Sequence, residues 1–121
     1  MPNSVLFISP DLMFSSRVTT AVKRLGGSCL IASHLARVLE IIATESLSVV
    51  LLDLEAPGLD QIAIIAAARE KEIPVIAYAS HVREQLLESA RVAGAAEVLP
   101  RSRFSGQLDS LVARFFPPHS E

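Results

Sequence analysis

Five short apolar runs recur along the chain and predict the strands of a sheet. They are VLFI (5–8), CLIA (29–32), VVLL (49–52), PVIAYA (74–79) and EVLP (97–100). The runs are largely apolar and do not alternate regularly with polar residues, which is typical of parallel strands that are covered on both faces. We therefore expect a buried parallel sheet of five strands.

The segments between these runs space their apolar residues at the helical period and predict five helices. The predicted helices cover residues 12–25, 35–45, 61–71, 82–93 and 104–116. In the last of them Phe104, Leu108, Leu111, Val112 and Phe115 fall on one face. Alternating strands and helices predict an α/β fold of three layers, with helices on both sides of the sheet.

The length and the hydrophobic content indicate one globular unit. With 121 residues, the whole chain (1–121) is predicted to form a single domain, and the segment FPPHSE (116–121) is expected to be a frayed tail. Half of the residues are hydrophobic, yet no apolar run reaches the roughly 18 residues that a membrane-spanning helix needs. The apolar residues are therefore expected in a core.

The net charge limits the classes of expected partner, and the cysteine content helps to predict the cellular compartment. A formal charge of −2 gives no positive field for nucleic acid or an anionic membrane, so neither is an expected partner. The N-terminus has no basic residue before its short apolar segment, so a secretory signal is not expected. Cys29 is the one cysteine and cannot form an internal disulfide. The predicted location is the cytoplasm.

Candidate functional residues follow the ends of the predicted strands. In an open parallel sheet, ligands bind in the crevice beyond the carboxyl ends of the strands. Four groups of residues lie there: Ser9, Pro10 and Asp11; Asp53; Ala79, Ser80 and His81; and Pro100, Arg101 and Ser102. We expect these side chains to line one pocket.

Three segments resemble the receiver (CheY-like) domain of two-component response regulators, and the resemblance extends over nearly the whole chain. VVLLDLEAPGLD (49–60) is similar to the phosphoacceptor strand and turn, with Asp53 followed by Pro57 and Asp60. PVIAYAS (74–80) and AGAAEVLPR (93–101) are similar to the segments of the fourth and fifth strands. The resemblance implies a flavodoxin/CheY-like α/β/α sandwich, a parallel sheet of order 2-1-3-4-5, and a role in phosphorelay signal transduction.

The resemblance also implies a phosphorylation site, most of whose residues differ in this chain. The acceptor falls on Asp53. The acidic pair that holds Mg²⁺ in the family falls on Ser9 and Pro10. The family's hydroxyl residue falls on Ala79, and its lysine falls on Arg101. This pattern implies a degenerate member, or pseudo-receiver.

The residues that replace the acidic pair are expected to weaken Mg²⁺ binding, on which phosphoryl transfer depends. Transfer to a carboxylate depends on Mg²⁺ and a cation to neutralise the phosphoryl oxygens, and Mg²⁺ in proteins usually takes one or two carboxylates. Asp53 alone is a poor Mg²⁺ site, so Mg²⁺ binding is expected to be weak or absent unless the Asp11 carboxylate moves in as a second ligand. No other cofactor is expected. Ser9 and Pro10 instead predict a helix start, with Ser9 as N-cap.

The sequence allows two roles for Arg101. It pairs with Asp53 and occupies the acceptor, or it is a solvated surface arginine. Ser80 is predicted to cap the next helix rather than to replace the missing hydroxyl, because a shift of one residue along a strand reverses the side-chain direction. For His81 a polar or capping contact is favoured over a metal ligand.

The stretches DLMFSSR (11–17) and RSRF (101–104) carry further charge near the expected crevice. If Arg17, Arg101 and Arg103 converge, they form an anion-binding site, and separate solvated charges are the alternative. Met13 and Phe14 are expected to be core or helix-packing residues.

A stand-alone signalling module that acts by protein contacts, without Mg²⁺-dependent phosphorylation, is the favoured function. Its partner, which is a histidine kinase, an effector or a second copy in a homodimer, is expected on the face of the fourth helix, fifth strand and fifth helix. That face includes Leu86, Leu87 and the phenylalanine-rich last helix.

Two other functions stay open. One is a phosphorelay receiver phosphorylated on Asp53 with atypical chemistry that uses Asp11 and Arg101. The other is a small protein that binds an anionic ligand on the same scaffold. An enzyme is not expected, because the sequence has no G-x-G-x-x-G, no P-loop, no G-x-S-x-G and no histidine or cysteine cluster.

Overall fold

A computed structural model describes residues 3–116 of the chain. Five strands lie within this range: β1 (Ser4–Ile8), β2 (Ser28–Ala32), β3 (Val49–Asp53), β4 (Val75–Ala79) and β5 (Glu97–Pro100). Six helices accompany them: α1 (Leu12–Arg24), α2 (Leu35–Thr44), α3 (Gln61–Glu70), α4 (Glu84–Ala93), α5 (Arg101–Gly106) and α6 (Leu108–Ala113). The predicted frayed tail lies outside the described residues from position 117 onward.

The five strands form one parallel sheet in the order β2-β1-β3-β4-β5. Central strand β3 pairs with β1 and β4, and its last residue, Asp53, lies opposite Tyr78. The α/β fold and the order predicted from the sequence are both confirmed. Because the strands are parallel, their carboxyl ends meet at one edge of the sheet and define a shared crevice.

The two faces of the sheet bury different side chains, since neighbouring residues of a strand point to opposite faces. One face, covered by α2, α3 and α4, buries only aliphatic residues and alanine, and we call it the aliphatic layer. The other face, covered by α1, α5 and α6, is the aromatic layer, which includes Phe7, Phe14, Tyr78 and Phe104. The Tyr78 and Phe104 rings stack with centroids 4.2 Å apart.

The last helix differs from the sequence prediction. Instead of one helix over 104–116, two short helices are present, and the first begins at Arg101, directly after the strand residue Pro100. Gln107 separates them with a φ of −118° and a ψ of 21°, just after the weak helix former Gly106. The expected apolar face survives the break, because Phe104, Leu108, Leu111 and Val112 are all buried in the aromatic layer.

The remaining helices lie within the predicted ranges, with α4 beginning two residues later than expected. The C-cap that follows α4 is Gly94, which adopts the left-handed conformation with a φ of +105° that favours glycine. Within residues 3–116, none of the helices is long and apolar enough to span a membrane.

Candidate functional site

Asp53 lies at the centre of the crevice, at the carboxyl end of β3. Val49 and Leu51 of the same strand point into the aromatic layer, so the two-residue period places the Asp53 side chain on that side of the sheet. Only 4% of the residue is exposed. A carboxylate so deeply buried must be satisfied by hydrogen bonds or opposite charge.

Protein groups contact both oxygens of the Asp53 carboxylate. The Ser9 hydroxyl donates to Oδ2 at 2.8 Å, and the Glu55 backbone N–H donates to Oδ1 at 2.9 Å. Nη2 of Arg101 lies 3.7 Å from Oδ2. The carboxylate therefore has two hydrogen bonds and a nearby positive charge, all supplied by this chain.

Arg101, the first residue of α5, lies between two carboxylates and two rings. Its Nη1 is 3.9 Å from Oδ2 of Asp11, and its guanidinium carbon lies 5.5 Å from the Phe14 centroid and 5.3 Å from that of Tyr78. A cation over an aromatic face is attracted by the ring quadrupole. Of the two sequence interpretations, the geometry shows pairing with Asp53, through a single long contact and not a bidentate one.

The β1–α1 turn differs from the sequence prediction. Asp11, not Ser9, is the N-cap of α1, and its Oδ1 accepts the Phe14 N–H at 2.9 Å. Ser9 continues the alternation of β1 toward the aromatic layer, so its hydroxyl lies against Asp53 and also accepts the Asp11 N–H at 3.1 Å. Pro10 is exposed in the turn and is not the first residue of the helix.

Glu55 links two loops of the crevice, although the sequence does not indicate it as a site residue. Its Oε2 accepts the backbone N–H of Ser80 at 2.6 Å, and its Oε1 lies 4.0 Å from Nη1 of Arg83. The turn after β3 is thereby tied to the loop after β4. The available signal was an acidic residue two positions beyond Asp53 in a stretch otherwise poor in charge.

The β4–α4 loop also corrects one prediction. Ala79 is buried in the aliphatic layer and brings no side-chain polar atom to the crevice. Ser80 does not cap α4, because the N-cap is Arg83 and no side chain caps that helix. The Ser80 hydroxyl instead lies 3.5 Å from the Val82 N–H within the preceding turn. His81 is exposed in the same turn.

Two of the three arginines considered for an anion-binding site lie beside the same ring. The guanidinium carbon of Arg17 lies 5.4 Å from the Phe14 centroid, and that of Arg101 lies 5.5 Å from it. Arg103 is exposed elsewhere on α5. Phe14 is buried as expected, but the expectation for Met13 is wrong, since 83% of that residue is exposed.

The surface expected to meet a partner is less apolar than predicted. Leu87 and Phe104 are buried, and Leu86 packs partly against the aliphatic layer. These residues face the sheet because they are the apolar stripes of their helices. Val82, in the turn before α4, and Val92, on α4 next to Ile62 of α3, are exposed.

Tyr78 has the clearest electrostatic perturbation in the site. Burial and then the negative charge of Asp53 raise the pKa of Tyr78 well above 10.0, and the Arg101 charge and the Ser9 hydroxyl offset only part of this rise. Within the described chain, the Tyr78 hydroxyl has no well-formed hydrogen bond. The phenol is therefore held in its neutral form.

The residues of the crevice do not match the donor set of a magnesium site. Mg²⁺ requires near-octahedral oxygen ligands and commonly one or two carboxylates. Asp53 already accepts two hydrogen bonds, and Asp11 caps α1. Among residues 3–116 no three Asp, Glu, His or Cys side chains are grouped as metal ligands.

Comparison with known proteins adds information on the fold. No family model matches the chain, and neither does any curated protein sequence. The signal receiver domain of a response regulator from Bermanella marisrubri has 18% identity and a TM-score of 0.80, over 95% of this chain and 98% of that one. The receiver domain of a Francisella response regulator has 21% identity and a TM-score of 0.76, over 93% and 95%.

A third structure comes from another type of signalling protein. The receiver domain of a sensor histidine kinase from Pseudomonas aeruginosa PAO1, with a magnesium ion coordinated in its active site cleft, has 15% identity and a TM-score of 0.79, over 95% of this chain and 98% of that one. These neighbours agree with the five-stranded parallel sheet and with the helices on both of its sides. The chain has the receiver-domain (CheY-like) fold of two-component response regulators.

Proposed function

We propose that this chain is a degenerate receiver, a signalling module that acts through contacts with other proteins and without Mg²⁺-dependent phosphorylation of Asp53. The observation that carries the proposal is the satisfied carboxylate. Ser9 and the Glu55 N–H each donate to one of its oxygens, and Arg101 supplies the opposite charge.

Phosphorylation of such a carboxylate is disfavoured at two points. Nucleophilic attack would use an oxygen that already accepts a hydrogen bond in a buried site, so part of that bonding must be lost. The charge on the phosphoryl oxygens must also be neutralised, and this work normally falls to a metal ion and a cation. Here Arg101 is the one cation of the described chain in contact with Asp53. Weak or absent Mg²⁺ binding belongs to the same proposal.

The loop after β4 supports a role in protein contacts. The Glu55 carboxylate holds the Ser80 N–H, so this loop is fixed by a negative charge of the chain itself and does not require a phosphoryl group on Asp53. The loop contains Val82, which is 68% exposed, and leads into α4, on which Val92 is 78% exposed. We place the partner, which is a histidine kinase, an effector or a second copy, on the α4–β5–α5 face.

The proposed signalling role includes a cytoplasmic location and no enzymatic activity of the chain itself. With one cysteine and no requirement for an oxidising compartment, the chain is placed in the cytoplasm. Its function is signalling and not catalysis of its own.

The test is incubation with acetyl phosphate and Mg²⁺, followed by intact-mass measurement over time. We expect the mass to stay that of the unmodified chain. Asp53→Ala is the matched control. Addition of one phosphoryl group to the native chain, and none to Asp53→Ala, would show instead a phosphorelay receiver with atypical chemistry.

A further inference from the structure

A groove between the first turns of α1 and α5 is not used by the proposed function. We call it the α1–α5 groove. It is lined by Asp11, the N-cap of α1, by Met13, Phe14 and Arg17 of α1, and by Arg101, Ser102 and Ser105 of α5. Its volume is about 460 Å³. That volume falls within the range of about 300–1,000 Å³ found for small-molecule sites.

The lining of the groove is mainly apolar, with two cations and the Asp11 carboxylate on its wall. Met13 is 83% exposed, whereas Phe14 is 6% exposed, so Met13 supplies most of the apolar surface that faces solvent. An apolar concavity with a few placed polar groups is the usual composition of a ligand pocket. The apolar body of a ligand would lie on Met13.

The two arginines keep hydrogen-bonding capacity for an anion. Arg17 donates from Nη1 to the Ser105 hydroxyl at 2.6 Å and from Nη2 to the Ser105 carbonyl at 3.2 Å, which uses two of its five N–H groups. Arg101 is 3.9 Å from Asp11 and 3.7 Å from Asp53, both beyond the usual N–H···O hydrogen-bond distance of about 3.2 Å.

From these contacts we infer that the α1–α5 groove binds a small molecule with a flat apolar body and one anionic group, a carboxylate, sulfonate or phosphate ester. The anion lies between Arg17 and Arg101, and the body covers Met13. One negative charge suits the groove better than several, because Asp11 and Asp53 already balance part of the positive charge.

A ligand in the groove would also affect Asp53, and this effect does not depend on the proposed function. Arg101 borders both the groove and the buried carboxylate, so an anion in the groove competes with Asp11 and Asp53 for the same guanidinium. A ligand that prefers one arrangement of Arg101 shifts the protein toward that arrangement. Removing the Asp11 charge should therefore strengthen binding, and Asp11→Asn does so while keeping a good N-cap.

The chain offers a matched control for each part of the groove. Arg103 carries the same charge as Arg17 and is exposed on α5, but it does not line the groove. Leu12 is 84% exposed next to Met13 and does not line the groove either. Arg17→Ala against Arg103→Ala, and Met13→Ser against Leu12→Ser, therefore separate a site from general charge and hydrophobicity.

Isothermal titration of the native chain with 8-anilinonaphthalene-1-sulfonate tests the inference, with N-phenyl-1-naphthylamine as the neutral analogue and sodium sulfate as the anion without a body. We expect binding of the sulfonate at one site, weakened about tenfold in Arg17→Ala, since a hydrogen bond to a charged group is lost. Met13→Ser should also weaken it and Asp11→Asn should strengthen it. The Arg103→Ala and Leu12→Ser variants should bind as the native chain does.

Three results would overturn the inference. They are absence of sulfonate binding to the folded native chain, equal affinity for the neutral analogue, and equal losses in Arg17→Ala and Arg103→Ala. Circular dichroism of each variant confirms that the titrated protein is folded.

Discussion

The two faces of the sheet have the same strands but different chemistry. The aliphatic layer ends at the crevice with Ala79, which adds nothing polar, whereas the aromatic layer ends with Ser9 and Asp53. Arg101 lies over Phe14 and Tyr78 on the aromatic side, with its charge toward Asp53. The polar part of the crevice is therefore an extension of one layer of the core.

This difference shows why the carboxylate is held so closely. The rings of the aromatic layer fix the guanidinium, and the alternation of β1 and β3 brings Ser9 and Asp53 to the same side of the sheet. The link between the loops after β3 and β4 is made separately, by the Glu55 carboxylate and the Ser80 N–H. The two sides should respond differently to substitution.

The largest effect is expected from the core of the aromatic layer. Phe104→Ala should lower the free energy of unfolding by about 3–5 kcal/mol, and Ile64→Ala in the aliphatic layer by about 2–5 kcal/mol. Of these two residues, Phe104 stacks on Tyr78, the single tyrosine of a chain without tryptophan, and Ile64 lies in the other layer. Denaturant unfolding and near-ultraviolet circular dichroism measure both effects. An equal change of the tyrosine signal in the two variants would contradict the separation of the layers.

Asp53→Ala comes next and should be destabilising. The substitution leaves the Ser9 hydroxyl and the Glu55 N–H without their acceptor, and an unsatisfied buried group costs about 1–3 kcal/mol. Asp109→Ala, which removes an exposed carboxylate paired with Arg24, should cost at most about 1 kcal/mol. If Asp53→Ala stabilised the chain, the contacts of the Asp53 carboxylate would not compensate for its burial, which would contradict the account.

Alkaline pH should weaken the aromatic layer through Tyr78. Because its pKa is raised in the folded state, the unfolded chain releases the phenolic proton first, so stability is retained below pH 10 and lost above it. The loss should be about 1.4 kcal/mol per pH unit above about pH 10. Urea unfolding at several alkaline pH values measures it. Tyr78→Phe should remove this component, and an unchanged slope would contradict the assignment.

The smallest effect is expected at the Glu55 link. Glu55→Gln should weaken the hydrogen bond to the Ser80 N–H by about 1 kcal/mol, with about a fivefold faster amide exchange at Ser80. Glu88→Gln, which alters an exposed pair with Arg91, is the matched control and should leave Ser80 unchanged. Equal exchange at Ser80 in both variants would mean that Glu55 does not hold the loop.

Much of the fold could be predicted from the sequence because its signals are local. The five apolar runs coincide with the strands, and the stretch around Asp53 placed that residue at the end of the central strand. Met13 shows where a closer use of the helical period would have helped. Phe14, Val18, Ala21 and Val22 share one face of α1, and Met13 falls on another.

The contacts within the site could not be predicted in the same way. Ser9 and Asp11 are both good N-caps, and the choice between them depends on Asp53, which is 44 residues from Ser9 in the chain. The link from Glu55 to Ser80 likewise joins two loops 25 residues apart and involves a backbone N–H that every residue but proline possesses. Such pairings depend on the assembled sheet and not on local pattern.

The most direct test of the account is a Mg²⁺ titration followed by the fluorescence of Tyr78, which lies opposite Asp53. A variant carrying Ser9→Asp and Pro10→Asp restores an acidic pair beside Asp53 and is the positive control, for which a saturable change is expected. For the native chain we expect no saturable change, because Asp53 is already satisfied by Ser9, the Glu55 N–H and Arg101. A saturable change in the native chain that is lost in Asp53→Ala would contradict the account.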